Sequence, residues 1–208
     1  MTQTIEHIVL IKVKDDSSPS KINFMLDTIN SLISLDIILH LSPGPIHKIK
    51  SISSSFDFTH MVHIRFKSKE DLENYIEHQE HTRVLNATKE LFDDIMIVDW
   101  VADLDEPLVV PSGAVMRLNL LKLKEELEES EKTEAHFGSI KQFSFGENFA
   151  LAKTNGFTIA SLAIVPELSE LEALDLNEEV VKEQEKLEDF LESVIVVDYV
   201  VPPAVKTA

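Results

Sequence analysis

The chain has 208 residues, of which 44% are hydrophobic and 27% charged, and this composition is typical of a globular protein with one large or two ordinary domains. Its formal net charge of -18 argues against a nucleic-acid or anionic-membrane surface. The absence of cysteine excludes disulfides and thiolate metal sites.

The first half of the chain predicts alternating strands and helices. A helix is expected to begin at Ser18-Pro19, because serine caps helices and proline fits the first helical turn. A second helical region is expected to break near His78. The predicted strands of this half are residues 5–13, 46–52, 58–66 and 95–101, and the second helical region covers residues 69–92.

An internal repeat indicates that the second half is a shorter copy of the first. Ile11-Lys-Val-Lys-Asp-Asp16 returns as Leu121-Lys-Leu-Lys-Glu-Glu126. Ile97-Val-Asp-Trp100 returns as Val196-Val-Asp-Tyr199. The second copy predicts strands at residues 118–123, 140–149, 157–165 and 194–201, and a helix rich in Glu and Lys at residues 177–191.

Each copy follows the order βαββαβ, which is that of a ferredoxin-like α+β unit with an antiparallel sheet. We therefore expect a first domain over residues 1–105, a proline-containing linker over 106–113 and a second domain over 114–208. The strands carry apolar residues on both faces, whereas a sheet covered on one side alone alternates apolar and polar residues. The uncovered face of each sheet is expected to meet the other sheet, so that the tandem units form an intramolecular dimeric α/β barrel.

Four segments of the first copy share a pattern with known proteins: Glu6-His7-Ile-Val-Leu-Ile-Lys-Val-Lys14, Phe58-Thr-His-Met-Val62, Tyr75-Ile-Glu-His-Gln-Glu-His81 and Ile97-Val-Asp-Trp100. This pattern resembles the stress-response dimeric α/β-barrel (Dabb) family of plants, and the chain as a whole resembles its tandem members. The likeness covers the whole first copy, about half of the chain, whereas the second copy matches in its framework. One departure is Gln79, where the family often has proline.

The resemblance implies two kinds of function. Some relatives are heat-stable, stress-induced proteins with antifungal or antimicrobial activity. Others are polyketide cyclases that need no cofactor and close a linear chain by an intramolecular aldol condensation. In the cyclase pattern the general base falls on His81, the tyrosine that orients the substrate carbonyl falls on Tyr75, and pocket imidazoles fall on His7 and His60.

These side chains could share one pocket. The alternation of residues along a strand puts His7 and His60 on the helix-facing side of the first sheet. A base with a pKa near neutrality can remove a proton between two carbonyls, while a phenol stabilises the enolate oxygen. This chemistry requires no cofactor. The apolar residues expected to line the pocket are Val9, Val62, Phe24 and Met25.

The second copy lacks this set of polar side chains. The residues at or near the corresponding positions are Arg117, Ile159, Leu174 and Glu179. None of the four supplies an imidazole base. We therefore expect the second domain to complete the barrel without a working pocket.

The sequence offers one candidate metal site, and the family resemblance implies another. His78 and His81 lie one helical turn apart and could bind a metal, although no third ligand stands at a clear spacing. The resemblance also implies a structural magnesium ion held by main-chain carbonyls after the first helix, at Ile33, Asp36 and Leu39. The remaining histidines, His40, His47 and His136, are expected at the surface or in loops.

We expect a cytoplasmic protein, because no run approaches 18 apolar residues and the first residues lack the basic and apolar regions of a signal peptide. The leading interpretation is a stress- or defence-associated protein that binds a small apolar or polyketide-like ligand in its first domain, with no nucleic-acid or membrane partner. The alternatives are a cyclase with His81 as base and a non-catalytic antifungal protein. Self-association beyond the intramolecular pseudo-dimer stays open.

Overall fold

The computed structural model describes residues 1–52, 56–105, 107–124, 140–150, 152–178, 181–182 and 190–203. The elements of the first module are β1 (Thr2–Val13), α1 (Pro19–Asn30), β2 (Ile38–Pro45), β3 (Lys48–Ile52), β4 (His60–Phe66), α2 (Lys69–Glu77), α3 (Gln79–Thr88) and β5 (Phe92–Leu104). Those of the second module are β6 (Val115–Leu123), β7 (Gln142–Glu147), β8 (Ile159–Val165), α4 (Leu168–Asp175) and β9 (Leu191–Val200). No helix in these ranges is long and apolar enough to cross a membrane.

Side-chain caps explain where the second helical region begins and breaks. Ser68 accepts a hydrogen bond from the Asp71 N–H at 3.1 Å, which caps α2. His78 has an extended backbone between α2 and α3, and its Nδ1 accepts a hydrogen bond from the Glu80 N–H at 3.1 Å. The predicted break near His78 is therefore confirmed, and the imidazole itself caps the second helix.

Two antiparallel sheets carry the fold. Their strand orders are β2-β4-β1-β5 and β3-β9-β6-β8-β7. Strand β3 follows β2 in the chain but pairs with β9, so the first module contributes a strand to the sheet of the second. The expected α+β fold of two tandem ferredoxin-like units is confirmed.

The inner faces of the two sheets pack against each other and form the larger hydrophobic core. Ile8 and Leu10 of β1 belong to one buried cluster with Leu118 and Leu120 of β6. Strand β7 also approaches β5 so closely that a Cβ on Gly146 would lie 3.1 Å from the Trp100 Cβ. This close contact favours glycine at that position, and it brings the edges of the two sheets together.

Helices α1, α2 and α3 cover the outer face of the first sheet. Met25 of α1, Leu72 and Tyr75 of α2 and Val84 of α3 form a second buried cluster with residues of β1 and β4. Neighbouring residues of β1 consequently face different cores, since strand side chains alternate between the two sides of a sheet. The functional side chains are divided between these two environments.

Strand β2 is not predicted by the sequence. Its residues Pro43-Gly-Pro45 are typical of a turn. Strand β2 lies at the edge of its sheet, however, and proline is tolerated there because its missing N–H can face the side that has no partner strand. The expectation that His40 lies at the surface or in a loop is wrong, because His40 is in β2 and only 5% exposed. His136 and most of the helix predicted over 177–191 lie outside the described residues.

Candidate functional site

A buried histidine–aspartate pair forms the centre of the candidate site. His7 of β1 lies opposite Asp99 of β5, and its Nδ1 is 2.5 Å from the Asp99 Oδ1. Both side chains are buried. Because a carboxylate can only accept, Nδ1 is the donor, and in the neutral ring Nε2 keeps its lone pair. Asp99 thus orients His7 and selects its tautomer.

The second module holds Asp99 in place. The Asp99 N–H donates to Asn148 Oδ1 at 3.0 Å, and the Asp99 carbonyl accepts from the Phe149 N–H at 2.8 Å. Sequence reasoning did not assign a role to Asp99. The available signal was its presence in the repeated Val-Asp-aromatic motif, whose other copy contains Asp198.

The helix break at His78 brings Tyr75 and His81 together. Their ring centres are 4.5 Å apart, and the Tyr75 ring centre is 6.1 Å from that of His7. Phe66 of β4 packs against the same tyrosine with a ring separation of 5.0 Å. The structure therefore places three of the four predicted polar rings in one cluster beside an aromatic side chain.

Hydrogen bonding and burial set the protonation states of this cluster. The His81 Nδ1 donates to the Ile76 carbonyl at 3.1 Å, which leaves Nε2 as the acceptor of a neutral ring. Burial lowers the pKa of His81, the Ile76 carbonyl opposes this change, and the nearby His7 and His78 reinforce it. Burial also raises the pKa of Tyr75. At neutral pH the cluster thus combines an imidazole base with a phenol donor.

His60 lies apart from this cluster. It stands opposite Ile11 on β1, whereas Ile64 stands opposite His7. Four residues of strand correspond to about 13 Å, so His60 is at the other end of the strand pair from His7. Its Nδ1 is 2.9 Å from the Thr59 hydroxyl, and burial lowers its pKa. The structure does not bring His60 together with the other three rings.

The predicted apolar wall is only partly assembled. Val62 and Met25 are buried and Val9 is half-buried, and all three belong to the cluster between the first sheet and its helices. Phe24 is instead 55% exposed on α1. The structure places the phenylalanine on the outer side of the helix rather than in the wall.

In the second module, an ion pair takes the place of the histidine. Arg117 of β6 lies opposite Asp198 of β9, as His7 lies opposite Asp99. The Arg117 Nε donates to Asp198 at 2.7 Å, and the same guanidinium also bonds to Asp175 of α4. Burial opposes the charge of Arg117, but the two carboxylates raise its pKa above the usual value. Glu179 lies outside the described residues.

A second group of polar residues lies inside the barrel, and sequence reasoning missed it. We call Glu6, His40, His63 and Arg65 the lumen cluster. Glu6 accepts a hydrogen bond from His63 Nε2 at 2.6 Å and from Arg65 Nη2 at 2.9 Å. Burial favours a higher pKa, but His63 and Arg65 hold the pKa of Glu6 at about 2. The available sequence signal was the alternation of side chains along a strand. It puts Glu6 on the same side of β1 as Ile8 and Leu10, which face the other sheet.

The main-chain magnesium site stays a prediction. Ile33 lies in a 3₁₀ turn after α1, Asp36 follows that turn, and Leu39 stands at the irregularity between Ile38 and His40 of β2. Carbonyl oxygens of such irregular backbone suit a hard cation. Among the described residues, no three His, Asp or Glu side chains form a metal-binding group, and this includes the surroundings of His78 and His81.

Comparison with known proteins is consistent with this architecture. The stress-responsive A/B barrel domain model matches residues 5–102 and again residues 115–201. The chain is 44% identical to a stress-response A/B barrel domain-containing protein of Arabidopsis thaliana, over 97% of this chain and 80% of that protein. It is 40% identical to a second stress-response A/B barrel domain-containing protein of the same plant, over 97% of this chain and 99% of that protein.

A solved structure shows the same fold over the whole chain. An anthrone oxidase-like protein superimposes with a TM-score of 0.59 at 10% identity, covering 100% of this chain and 97% of that one. At this identity the likeness concerns the fold alone. The two domain matches and the Arabidopsis relatives show that the chain belongs to the stress-responsive A/B barrel (Dabb) family as a member with two tandem domains.

Proposed function

We propose that the protein acts in plant stress or defence by binding a small, mainly apolar ligand at the cluster of His7, Tyr75 and His81. The main support is that these three side chains converge from β1, α2 and α3, although His7 is far from Tyr75 and His81 in sequence. The relatives in Arabidopsis are named as stress-response proteins, which supports the physiological setting.

The chemistry of the cluster suggests the kind of ligand. Phe66 packs against both His7 and Tyr75, so that the polar atoms are set among aromatic rings. Sites of this composition bind molecules with a large apolar body and one or two polar groups. A phenol or an enolisable ketone would match the phenolic donor and the imidazole acceptors.

Thermal unfolding with a panel of apolar phenols and ketones tests ligand binding, because a ligand that binds the folded state raises the midpoint. Tyr75→Phe removes the hydroxyl and keeps the ring, so the shift caused by an active compound should shrink or vanish. His47→Gln alters an exposed imidazole and serves as the control. A shift of equal size in Tyr75→Phe and in the parent protein would contradict binding at this cluster.

Catalysis of an aldol closure is the second candidate function. It is favoured by the hydrogen bond from His81 Nδ1 to the Ile76 carbonyl, since this bond leaves Nε2 free to accept a proton. In this reaction Nε2 removes a proton between two carbonyls, the Tyr75 hydroxyl stabilises the enolate oxygen, and the carbanion attacks a second carbonyl of the same chain. The imidazolium then returns the proton to the new alkoxide.

The test is ring closure of a linear tetraketide thioester, followed by product analysis. Loss of the proposed base in His81→Gln should reduce the rate by about 10²–10⁴-fold, the usual contribution of a positioned base. Tyr75→Phe should reduce it as well. Equal rates for the parent protein and His81→Gln would exclude this imidazole as the base. That result would not contradict the proposal of ligand binding, which the thermal-shift experiment tests separately.

A further inference from the structure

The lumen cluster lies on the opposite face of the first sheet from the His7–Tyr75–His81 cluster. His40 comes from the edge strand β2, His63 and Arg65 come from β4, and Glu6 comes from β1. All four side chains are at most 5% exposed. Ser144 of β7 also approaches Glu6, with its hydroxyl 3.5 Å from Oε1, so the second sheet closes over the group.

Two imidazole nitrogens in this cluster have no hydrogen-bond partner within the described part of the chain. They are His40 Nε2 and His63 Nδ1. Since His63 Nε2 donates to the Glu6 carboxylate, Nδ1 of the neutral ring presents a lone pair. A buried polar atom without a hydrogen-bond partner destabilises the folded protein. A ligand bound to these two nitrogens would remove that cost.

The two rings have a geometry suited to sharing one ion. Their centres are 5.0 Å apart and their planes are inclined by 56°. A transition-metal ion sits about 2.0–2.1 Å from an imidazole nitrogen, and hence about 3.2 Å from the ring centre. Two imidazoles at a tetrahedral angle on one ion would therefore have centres about 5 Å apart.

We propose that His40 Nε2 and His63 Nδ1 bind one divalent transition-metal ion of the kind that prefers imidazole, such as Zn²⁺ or Co²⁺. Glu6 does not bind the ion itself but orients His63. Its carboxylate accepts a hydrogen bond from the other ring nitrogen of His63, as carboxylates do for metal-bound histidines. No third His, Asp or Glu ligand is present among the described residues, so water would fill the remaining positions.

The charges around the site predict modest affinity. Glu6 is already paired with Arg65, whose guanidinium bonds to both carboxylate oxygens. The pair is close to neutral and offers the incoming cation little net attraction. The unpartnered nitrogen of each ring is the atom that a metal would bind.

The metal content of the refolded protein tests the site. Refolding in the presence of the ion lets the metal reach nitrogens that are buried in the folded protein. The protein is unfolded in urea, refolded with Co²⁺ or with Zn²⁺, dialysed against buffer that contains the same ion at a fixed concentration, and analysed for bound metal, for the visible absorption of Co²⁺ and for the thermal midpoint. We expect about one equivalent of metal and a rise of the midpoint by roughly 5 °C. His40→Leu should retain no metal and show no rise.

The half-buried pair His78 and His81 is the competing site, and His78→Asn removes it while keeping a side chain that can cap α3. This variant should bind metal as the parent protein does. Should His40→Leu fail to fold, His40→Asn gives a polar replacement without an imidazole. Absence of retained metal in the parent protein, equal retention in the His40 variants or loss of metal in His78→Asn would each overturn the proposal.

Discussion

His7 and Arg117 occupy equivalent positions in the two modules, and each is paired with the aspartate of the last strand in its own sheet. His7 bonds to Asp99 through one ring nitrogen, Nδ1. Arg117 is engaged by Asp198 and also by Asp175. The same position therefore carries a histidine–aspartate pair in the first module and an arginine with two carboxylate partners in the second.

Asp99→Asn should destabilise the protein and weaken ligand binding. The carboxylate accepts a short, buried hydrogen bond from His7, and replacing it by an amide removes the charge that strengthens this bond. We expect the free energy of unfolding to fall by about 1–3 kcal/mol, measured by urea denaturation. Asp93→Asn, at an exposed position of β5, is the control. Equal stability of the two variants would contradict a role for the His7–Asp99 bond.

Glu6→Gln should be among the most destabilising single changes. Glu6 is fully buried and binds both His63 and Arg65, so its loss leaves the Arg65 charge without its partner. Breaking a buried pair in this way costs about 3–5 kcal/mol. Glu80→Gln removes the exposed pair with Arg83 and should change stability little. A similarly small change in both variants would show that the lumen cluster does not depend on this charge.

Acid should destabilise the protein from about pH 6.5 downward, because several histidines are buried in the neutral form. Burial lowers the pKa of His40 from 6.5 to about 2, and it lowers the pKa of His63 as well. Below pH 6.5 the unfolded chain binds protons that the folded chain does not, so the free energy of unfolding falls with pH. Well below pH 6.5, His40 contributes a slope of about 1.4 kcal/mol per pH unit.

Glu6 adds a second acid-sensitive contribution at lower pH. Its pKa falls from 4.5 to about 2 in the folded protein, so its stabilisation is complete above pH 4.5 and is lost between these two values. His40→Leu should therefore lower the slope throughout the range from about pH 6.5 to about pH 2, and it should leave the additional slope that Glu6 contributes below about pH 4.5. Urea denaturation across this range measures both parts. An unchanged slope in His40→Leu would mean that His40 is protonated in the folded state.

Gly146→Ala should separate the edges of the two sheets. The added Cβ would lie 3.1 Å from the Trp100 side chain and 3.1 Å from the Val101 carbonyl, and the tryptophan is fully buried and cannot move aside. A loss of about 1–3 kcal/mol is expected in the free energy of unfolding. Glu147→Ala, at the neighbouring exposed position of β7, is the control. An unchanged stability of Gly146→Ala would show that β7 and β5 can move apart.

Local signals account for the parts of the site that were predictable. The approach of Tyr75 to His81 depends on a helix break, and the break depends on the neighbouring residue His78, which caps α3. Sequence periodicity also put His7 on the helix-facing side of β1, where the structure has it beside Tyr75. Such features involve residues a few positions apart and can be read along the chain.

Features that depend on sheet edges and register were not predictable in the same way. His40 lies in a strand whose prolines indicate a turn, and that strand exists because it pairs with β4 at an edge. His60 shares a face with the other pocket residues, but the pairing of β1 and β4 puts it opposite Ile11 and away from His7. Alternation predicts the face of a strand and not the partner across it.

The sequence by itself determined the tandem repeat, the α+β units and the two-sided apolar strands that require the sheets to meet. Only the tertiary structure decided which polar side chains would meet, because these contacts join strands that are distant in the chain and whose register the local pattern does not specify. The contacts decided in this way are His7 with Asp99, Arg117 with Asp175 and Asp198, and Glu6 with His63 and Arg65.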